Sequence, residues 1–262
     1  MSRKIVVTSG KGGVGKTTIC ANIGIKLAEL GQKVVMLDLD IGLNNLDVVM
    51  GIENKVVYDI SDVIEGKCRL KQALVQDVRC PYLYTLPSNK IFTTTKINSY
   101  NIKAIVDALG EIFDYVIIDC PAGIDSGFHR AVYSASEAIV VCTPHISSIR
   151  DADKVLTILN SYKLSSVGFV VNRARGDLIL NGQMIDINQI CNLLKSNIVG
   201  VIPDDDSISM NQSMSSHGTK GGNSFEVLAK NIHYCQNRIF DCKSQYKGIF
   251  GAFRRKMRQK YQ

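Results

Sequence analysis

The sequence lacks the cysteine patterns that mark disulfide-bonded or zinc-binding proteins. Its eight cysteines stand far apart, with no C-x-x-C pair and no histidine partner at zinc-ligand spacing. Such spacing indicates reduced, mostly buried thiols and favours a cytosolic compartment. A disulfide framework and a structural zinc site are therefore not expected.

Long apolar runs are also missing. No run approaches the roughly 20 apolar residues that a transmembrane helix needs, and nothing at the N terminus resembles a signal peptide. A composition of 45% hydrophobic and 21% charged residues is typical of a globular protein, and 262 residues suffice for one large α/β domain. These features predict a cytoplasmic protein.

Acidic residues are absent from the last sixteen positions, where six basic residues supply most of the net charge of +7. They are Lys247, Arg254, Arg255, Lys256, Arg258 and Lys260. The rest of the chain then carries only 7 − 6 = +1. The sequence therefore predicts a nearly neutral domain over residues 1–245 and a basic tail over residues 246–262.

The tail also has an apolar face. Four apolar residues recur in it at helical spacing, namely Ile249, Phe250, Phe253 and Met257. Basic residues, among them Arg254 and Arg255, lie largely around the other side of the same helix. A basic amphipathic helix with aromatic residues is typical of segments that bind anionic membrane lipid. A disordered solubilising tail and a nucleic-acid-binding arm are the alternatives that composition leaves open.

Short, nearly continuous apolar runs predict seven strands buried on both faces of a sheet. They cover residues 4–8, 33–38, 82–86, 115–119, 138–142, 166–171 and 198–202. Helical periodicity appears at 17–30, closed by Gly31, and at 101–113, 148–161 and 187–194. The polar stretch 204–224 predicts a loop, and a last globular helix is expected over 225–240. The alternation predicts an α/β fold with a mainly parallel sheet and helices on both faces.

The stretch SGKGGVGKTT follows the first predicted strand and fits the phosphate-binding pattern G-x-x-x-x-G-K-[ST]. In such a P-loop, backbone N–H groups surround phosphate oxygens, the final lysine neutralises the β and γ phosphates, and the next hydroxyl binds Mg²⁺. The predicted nucleotide-binding residues are Gly10, Lys11, Gly12, Gly13, Val14, Gly15, Lys16, Thr17 and Thr18. Lys16 is also a predicted catalytic residue. The pattern itself requires only Lys16, so Lys11 is an additional lysine.

Acidic residues end two other predicted strands. Asp119, in VIIDCPAG, is the candidate to hold Mg²⁺ together with Thr17. Asp40 lies two residues beyond Asp38, where its side chain could reach an attacking water, and it is a further candidate metal ligand. A helix cap or turn for Asp119 and plain solvation for Asp40 are the alternatives. The guanine-specifying pattern N-K-x-D is absent, which favours adenine, so ATP and Mg²⁺ are the predicted ligands.

Several ordered motifs resemble the ParA/MinD ATPases. They are KGGVGKTT, DIGLNNLDVVMGIEN, IIDCPAGID, SSIRDAD and VVNR, and the resemblance runs from about Arg3 to Pro203 and resumes in the tail. It implies a P-loop NTPase fold. The early lysine, here Lys11, is the mark of this family's deviant Walker A motif. The resemblance implies that Lys11 crosses the interface of an ATP-bound homodimer and stabilises charge on the neighbour's phosphates, as an arginine finger does.

The same resemblance implies further roles. Asn172 and Arg173 would flank the adenine, Asp40 would orient the attacking water, and Arg150 and Asp153 would contact partner proteins. The implied partners are a second copy of the chain, anionic membrane lipid and a MinC-like division inhibitor, with a MinE-like topological factor left open. For Arg150 and Asp153, solvated helix charges remain the alternative.

Together these features predict an ATPase on the inner face of the cell membrane that positions the division septum by recruiting the inhibitor. A ParA-type partition ATPase is the nearest alternative. Non-specific DNA binding, however, needs a basic folded surface, and the body carries about +1, so nucleic acid is not an expected partner. An ATPase that sets flagellar number and a membrane scaffold with negligible turnover also remain open.

Overall fold

The computed structural model describes residues 2–42, 45–88, 97–210, 218–248, 250–252 and 255. Within these ranges the strands are β1 (Arg3–Thr8), β2 (Val34–Asp38), β3 (Val75–Gln76), β4 (Leu83–Leu86), β5 (Tyr115–Asp119), β6 (Glu137–Cys142), β7 (Ser166–Ala174) and β8 (Asn197–Pro203). The α-helices are α1 (Lys16–Glu29), α2 (Leu46–Met50), α3 (Ile60–Glu65), α4 (Leu70–Ala73), α5 (Ser99–Gly110), α6 (Ser126–Ser134), α7 (Ile146–Leu159), α8 (Gly176–Leu180), α9 (Ile187–Leu194), α10 (Asp206–Met210) and α11 (Lys220–Tyr234).

The strands form one sheet in the order β3-β4-β2-β5-β1-β6-β7-β8. All neighbours pair in parallel except β3 and β4, which are antiparallel. The first strand lies inside the sheet between β5 and β6, so the chain winds outward from it in both directions. Ligands of open parallel sheets bind at such a switch point, beyond the carboxyl ends of the strands.

Helices cover both faces of the sheet because the strands are apolar on both sides. In β1, Val6 belongs to one hydrophobic cluster, whereas Ile5 and Val7 belong to the other. The first cluster includes buried residues of α5, α6, α7 and α9, and the second includes those of α1 and α11. Side chains of a strand alternate between the two faces, so each strand contributes to both cores.

The predicted sheet is confirmed. The seven predicted strands agree with the structure to within one residue, except that β7 continues to Ala174. The antiparallel edge strand β3 was not predicted, since two residues give too short a pattern to recognise. Four predicted helices correspond to α1, α5, α7 and α9. At the end of α1, Gly31 has a φ of +82° and its N–H donates to the carbonyl of Ala28, as expected for a glycine that closes a helix.

The predicted boundaries near the C terminus are wrong. Residues 206–210 and 220–224, assigned to a loop, belong to α10 and α11. The side chain of Thr219 accepts a hydrogen bond from the N–H of Gly222, which starts α11 five residues before the predicted position 225. The helix ends at Tyr234 and not at 240, because Cys235 adopts a left-handed φ of +53°. Residues 211–217 lie outside the described part of the chain.

No helix among the described residues is long and apolar enough to span a bilayer.

The packing of α11 generates a stability prediction. Phe225 is fully buried between α11 and the sheet, so Phe225→Ala is expected to lower the free energy of unfolding by about 3–5 kcal/mol. Tyr234→Ala, on the same helix but at a side chain that is 55% exposed, should cost less than about 1 kcal/mol. Urea denaturation measures both values. Equal losses would contradict this account of the core.

Candidate nucleotide-binding site

The loop between β1 and α1 has the backbone geometry of a phosphate-binding turn. Gly13 and Gly15 have φ of +76° and +96°, a region that glycine adopts without the steric cost borne by other residues. Gly15 immediately precedes α1, whose first turn contains no acidic residue. The positive end of the helix dipole is therefore not neutralised by an acid in that turn, and it favours an anion next to the loop.

Neighbouring elements hold this loop from two sides. A Cβ atom on Gly10 would lie 2.5 Å from the backbone oxygen of Asp151 on α7, so only glycine fits there. On the other side, Asn172 near the end of β7 donates from Nδ2 to the carbonyl oxygen of Val14 over 2.8 Å. A Cβ on Gly15 would overlap the same amide group. Movement of α7 or of the end of β7 would therefore disturb the loop.

The loop opens into a cavity of ≈ 490 Å³. It is lined by Gly12, Gly13, Gly15, Lys16, Thr17, Thr18, Asp40, Asn45, Val48, Val49, Ala122 and Arg173. The side chain of Lys16 is largely buried, whereas Lys11 is exposed to solvent. The cavity therefore brings together residues that follow β1, β2 and β5 with one residue near the end of β7.

Two carboxyl groups are buried side by side beneath this cavity. Asp38 and Asp119 occupy paired positions at the ends of the parallel strands β2 and β5, and their exposed fractions are 0% and 1%. Burial raises the pKa of Asp119 to about 7, although the hydroxyl of Thr17 and the ammonium of Lys16 oppose the rise. Burial and the neighbouring Asp119 raise the pKa of Asp38 well above its ordinary value. A nearby cation would relieve the cost of ionising these groups.

Asp38 was not among the predicted site residues, and its contacts show what it does in the fold. Its Oδ1 accepts from the N–H of Asp40 over 2.9 Å, and its Oδ2 accepts from the N–H of Leu46 over 3.2 Å. These bonds fasten both ends of the segment that follows β2. The sequence signal was the first acid of the LDLD run, but only the pairing of β2 with β5 reveals that it faces a second carboxyl group.

Asp40 lies between opposing charges at the edge of the cavity. Partial burial raises its pKa above the ordinary value, Lys16 opposes this rise, and Asp125 adds to it. Asp125 is held at the start of α6, where its side chain accepts from the N–H of Gly127 over 2.9 Å. The carboxyl group of Asp40 is thus close enough to Lys16 for their charges to interact across the cavity.

The remaining predicted residues lie around the rim and beyond it. Arg173 lines the cavity and has a left-handed φ of +58°, and its N–H donates to Asn172 Oδ1 over 2.9 Å. Arg150 and Asp153 are exposed on α7, on either side of the residue that abuts Gly10.

Only part of the predicted lipid-binding set can be described. Phe250 is 84% exposed, and Arg255 donates from Nη1 to the carbonyl oxygen of Tyr246 over 2.9 Å. The other predicted tail residues, Ile249, Phe253, Arg254 and Met257, lie outside the described residues. The exposure of Phe250 leaves its ring available for an apolar contact.

The site has the donor set that a magnesium nucleotide requires. Both carboxyl oxygens of Asp119 are buried and lack a hydrogen bond of good geometry within the described part of the chain. Across the same part, no group of three or more His, Cys, Asp or Glu side chains is arranged to hold a metal ion. Proteins usually hold Mg²⁺ through one or two carboxylates together with phosphate oxygens and water. Asp119 and Thr17 supply such a partial set beside the loop.

The buried acid at Asp119 generates a pH prediction. Its pKa is about 7 in the folded chain and about 3.9 when unfolded, so the folded state binds the extra proton and stability falls as pH rises between those values. In EDTA without nucleotide, Asp119→Asn should therefore raise the unfolding midpoint at pH 8 and have less effect near pH 5. The upper limit of the gain is about 4 kcal/mol, at about 1.4 kcal/mol per pKa unit.

The matched control is Asp153→Asn, which changes an exposed acid on α7 and should leave the midpoint unchanged at both pH values. With MgATP present, Asp119→Asn should lose most of the ligand-induced rise in midpoint that the unmodified chain shows. A variant that is less stable than the unmodified chain at pH 8 would contradict the buried-charge explanation.

Comparison with known proteins supports the same kind of site. The family model described as the CobQ/CobB/MinD/ParA nucleotide binding domain matches residues 5–216. The septum site-determining protein MinD of Synechocystis is 40% identical over 263 residues, which cover 98% of this chain and 99% of that protein.

Solved structures agree with the fold. A chain of the MinC:MinD cell division protein complex of Aquifex aeolicus has a TM-score of 0.81 at 37% identity, covering 88% of this chain and 95% of its own. The septum site-determining protein MinD of Pyrococcus horikoshii, complexed with Mg-ADP, has a TM-score of 0.81 at 30% identity, covering 90% and 97%. With a family model across most of its length and a relative 40% identical over nearly all of it, this chain belongs to the MinD/ParA family of nucleotide-binding ATPases.

Proposed function

We propose that this chain is a dimerising, Mg²⁺-dependent ATPase that positions the division septum by bringing a MinC-like inhibitor to the membrane. The observation that carries the proposal is the phosphate loop with its early lysine, set beside buried carboxyl groups in a chain 40% identical to a septum site-determining protein. Its similarity to a relative complexed with Mg-ADP supports ATP and Mg²⁺ as ligands.

The nucleotide's phosphates are held by the loop and the start of α1. The N–H groups from Gly10 to Thr18 surround the phosphate oxygens, and Lys16 neutralises the β and γ phosphates. The Thr17 hydroxyl and the carboxyl group of Asp119 would hold Mg²⁺, and Asp40 would supply a third oxygen donor. When bound, the metal neutralises charge that develops on the transferring phosphoryl group.

Hydrolysis then depends on the position of a water molecule and on a second copy of the chain. Asp40 orients the attacking water, because its carboxyl group lies in the cavity and is held near Lys16. Lys11 is exposed and therefore free to reach a neighbouring molecule. In the ATP-bound homodimer it contacts the neighbour's phosphates and couples hydrolysis to dimerisation.

The base lies against the end of β7. Arg173 lines the cavity in a conformation set by the hydrogen bond from its N–H to Asn172. The Asn172 amide is already bonded to the phosphate loop, so it fixes the distance between the loop and the base. The two residues flank the adenine.

Partner binding is assigned to the exposed face of α7. Arg150 and Asp153 are exposed there, and the backbone of the same helix abuts Gly10. A protein bound at Arg150 and Asp153 therefore acts on the phosphate loop through one rigid element. A relative occurs in a MinC:MinD complex, which supports a MinC-like inhibitor as the occupant, and a MinE-like factor is a second candidate for the same face.

In this proposal the globular ATPase domain covers residues 1–245 and the tail covers 246–262, and Tyr246, the first residue of the tail, is buried. The tail attaches the protein to the inner face of the membrane. Partly immersing its four apolar side chains contributes about 4–6 kcal/mol, and basic residues add about 1 kcal/mol each at most. Ordering roughly ten residues costs about 10 kcal/mol or more, so one tail is near balance. Two tails on a dimer bind firmly because the second binds at high effective concentration.

Membrane attachment is tested by sedimentation with vesicles of phosphatidylglycerol and phosphatidylcholine in ATP and in ADP. The full chain should pellet with ATP and remain largely in the supernatant with ADP, because only the dimer presents two tails. A chain truncated after Tyr246 should not pellet in either nucleotide.

The matched substitutions are Phe250→Glu, which should abolish pelleting, and Tyr100→Glu, which changes another exposed aromatic residue, on α5, and should not. Equal pelleting of the full chain in ATP and ADP would refute the switch. A salt-sensitive shift of DNA that survives removal of the tail would instead favour a partition ATPase.

Substitutions of the two lysines of the loop should have different effects on ATP binding and on hydrolysis. Lys16→Ala is expected to abolish ATP binding, measured by equilibrium binding of a fluorescent nucleotide. Lys11→Ala should retain binding, lose the ATP-dependent dimer in analytical ultracentrifugation, and lower phosphate release by about 10³-fold or more. Lys33→Ala, at an exposed lysine outside the cavity, is the control. A dimeric, fully active Lys11→Ala protein would overturn the role in trans.

A further inference from the structure

A second cavity, here called the amino-edge cavity, lies at the edge of the sheet opposite the nucleotide site. It has a volume of ≈ 240 Å³ and is bordered by the first residues of four neighbouring strands, β1, β6, β7 and β8. Those residues are Arg3, Glu137, Ser166 and Asn197. Because the four strands run parallel, they begin at the same edge and bring these polar side chains into one row.

The other part of the lining is apolar. It includes Ile5, Val199 and Ile232. A Cβ atom on Gly168, which also lines the cavity, would lie 2.6 Å from a side-chain atom of Val199 and 2.8 Å from the backbone oxygen of Asn197. Glycine is therefore required here, and no side chain projects into the cavity from this position. An apolar lining with a few polar groups is typical of sites for small molecules.

Hydrogen bonds hold the walls of the cavity in place. Arg3 donates from Nε and Nη2 to the two carboxylate oxygens of Glu137 over 2.7 and 2.6 Å, and from Nη1 to the carbonyl oxygen of Ile232. At the end of α11, Asn231 donates from Nδ2 to the carbonyl oxygen of Arg238 over 2.6 Å, and its Oδ1 accepts from the N–H of the same residue over 3.1 Å. The cavity is therefore preformed, which lowers the cost of binding a ligand.

The charges that border the cavity cancel each other. Arg3 and Glu137 are the charged residues of its described lining, and they form one bidentate ion pair. A phosphate or carboxylate ion would have to break this pair to reach the guanidinium group, and charge-assisted bidentate pairs are strong. The expected occupant is therefore uncharged.

Four neutral side chains supply the polar groups that are available to a ligand. They are Ser166, Asn197, Gln236 and Asn237, and their side chains form no hydrogen bond with the described part of the chain. An amide group offers two donors and an acceptor, and a hydroxyl group both donates and accepts. Ligand hydroxyl groups match this mixture, because each of them can also donate and accept.

We propose that the amino-edge cavity binds a small neutral polyhydroxylated molecule, such as a monosaccharide. Its hydroxyl groups bond to the free amides, and its C–H groups pack against Ile5, Val199 and Ile232. The volume is below the roughly 300–1,000 Å³ of sites for drug-sized molecules, so the ligand is small. The two cavities share no lining residue, and the inference does not depend on the proposed function.

The first test is saturation-transfer difference NMR of the full chain, without nucleotide, with glucose, myo-inositol and glycerol at millimolar concentration. Saturation should pass from the protein to at least one of the three, and an excess of inorganic phosphate should not reduce it. The absence of transfer to all three would overturn the proposal. Competition by phosphate would also overturn it, because the site would then select an anion.

Substitutions locate the binding. Ser166→Trp places an indole ring in the cavity and should abolish the transfer, whereas Ser165→Trp, at the adjacent exposed serine outside the lining, should retain it. Asn197→Ala should weaken binding about fivefold, the effect of one lost hydrogen bond, and serves if the tryptophan variant does not fold. Asn192→Ala, at an exposed position of α9, is its control. Transfer that survives both Ser166→Trp and Asn197→Ala would show that the molecule binds elsewhere, and the inference would be wrong.

Cys235 provides a second readout within the site. Its thiol is exposed and lines the cavity, whereas Cys68 is half-buried between α3 and α4 and lies outside it. With the ligand at about ten times its Kd, alkylation of Cys235 by iodoacetamide should slow about tenfold while Cys68 reacts at its usual rate, as measured by peptide mass spectrometry. Equal rates at Cys235 with and without ligand, or equal slowing of both thiols, would contradict binding in this cavity.

Discussion

The burial of two carboxyl groups beside the phosphate loop is the constraint on which the rest of the site depends. Asp38 and Asp119 face each other at the ends of adjacent parallel strands, where water cannot stabilise two negative charges. The fold tolerates the pair because Lys16 lies nearby and because backbone N–H groups bond to Asp38. The same bonds hold the backbone N–H groups of Asp40 and Leu46 in place. Ionising both carboxyl groups costs free energy, and a bound magnesium ion would lower that cost.

The second constraint is close packing around the loop. Gly10 touches α7, and Gly15 and Val14 touch the amide of Asn172, so the loop is held between a helix and the end of a strand. These contacts explain how the cavity can communicate with surfaces away from it. The helix exposes Arg150 and Asp153, and the strand continues toward Gly176, against which the backbone of Cys242 packs. Movement of either element would therefore disturb the loop.

In the proposed function, membrane attachment depends on a small difference between large free-energy terms. There, the apolar and basic residues of one tail offset the entropy of ordering it only approximately, so the number of tails decides whether the protein binds lipid. Dimerisation changes the number of tails.

The sequence by itself determined the strands, the phosphate loop and the basic tail, because each produces a pattern among neighbouring residues. The strands are continuous apolar runs, and the phosphate loop is a glycine pattern with its lysine. The tail has basic residues opposite an apolar stripe. The sequence also identified Asp40 and Asp119 from their positions just after or at the end of predicted strands. Tertiary structure decided the rest. That Asp38 opposes Asp119 follows from the pairing of strands 81 positions apart, and that Gly176 meets Cys242 follows from packing across 66 positions. The early start of α11 depends on the cap at Thr219, and its end on the left-handed turn at Cys235. Local sequence patterns reflect the conformational preferences of neighbouring residues, whereas these contacts form only when folding has brought distant segments together.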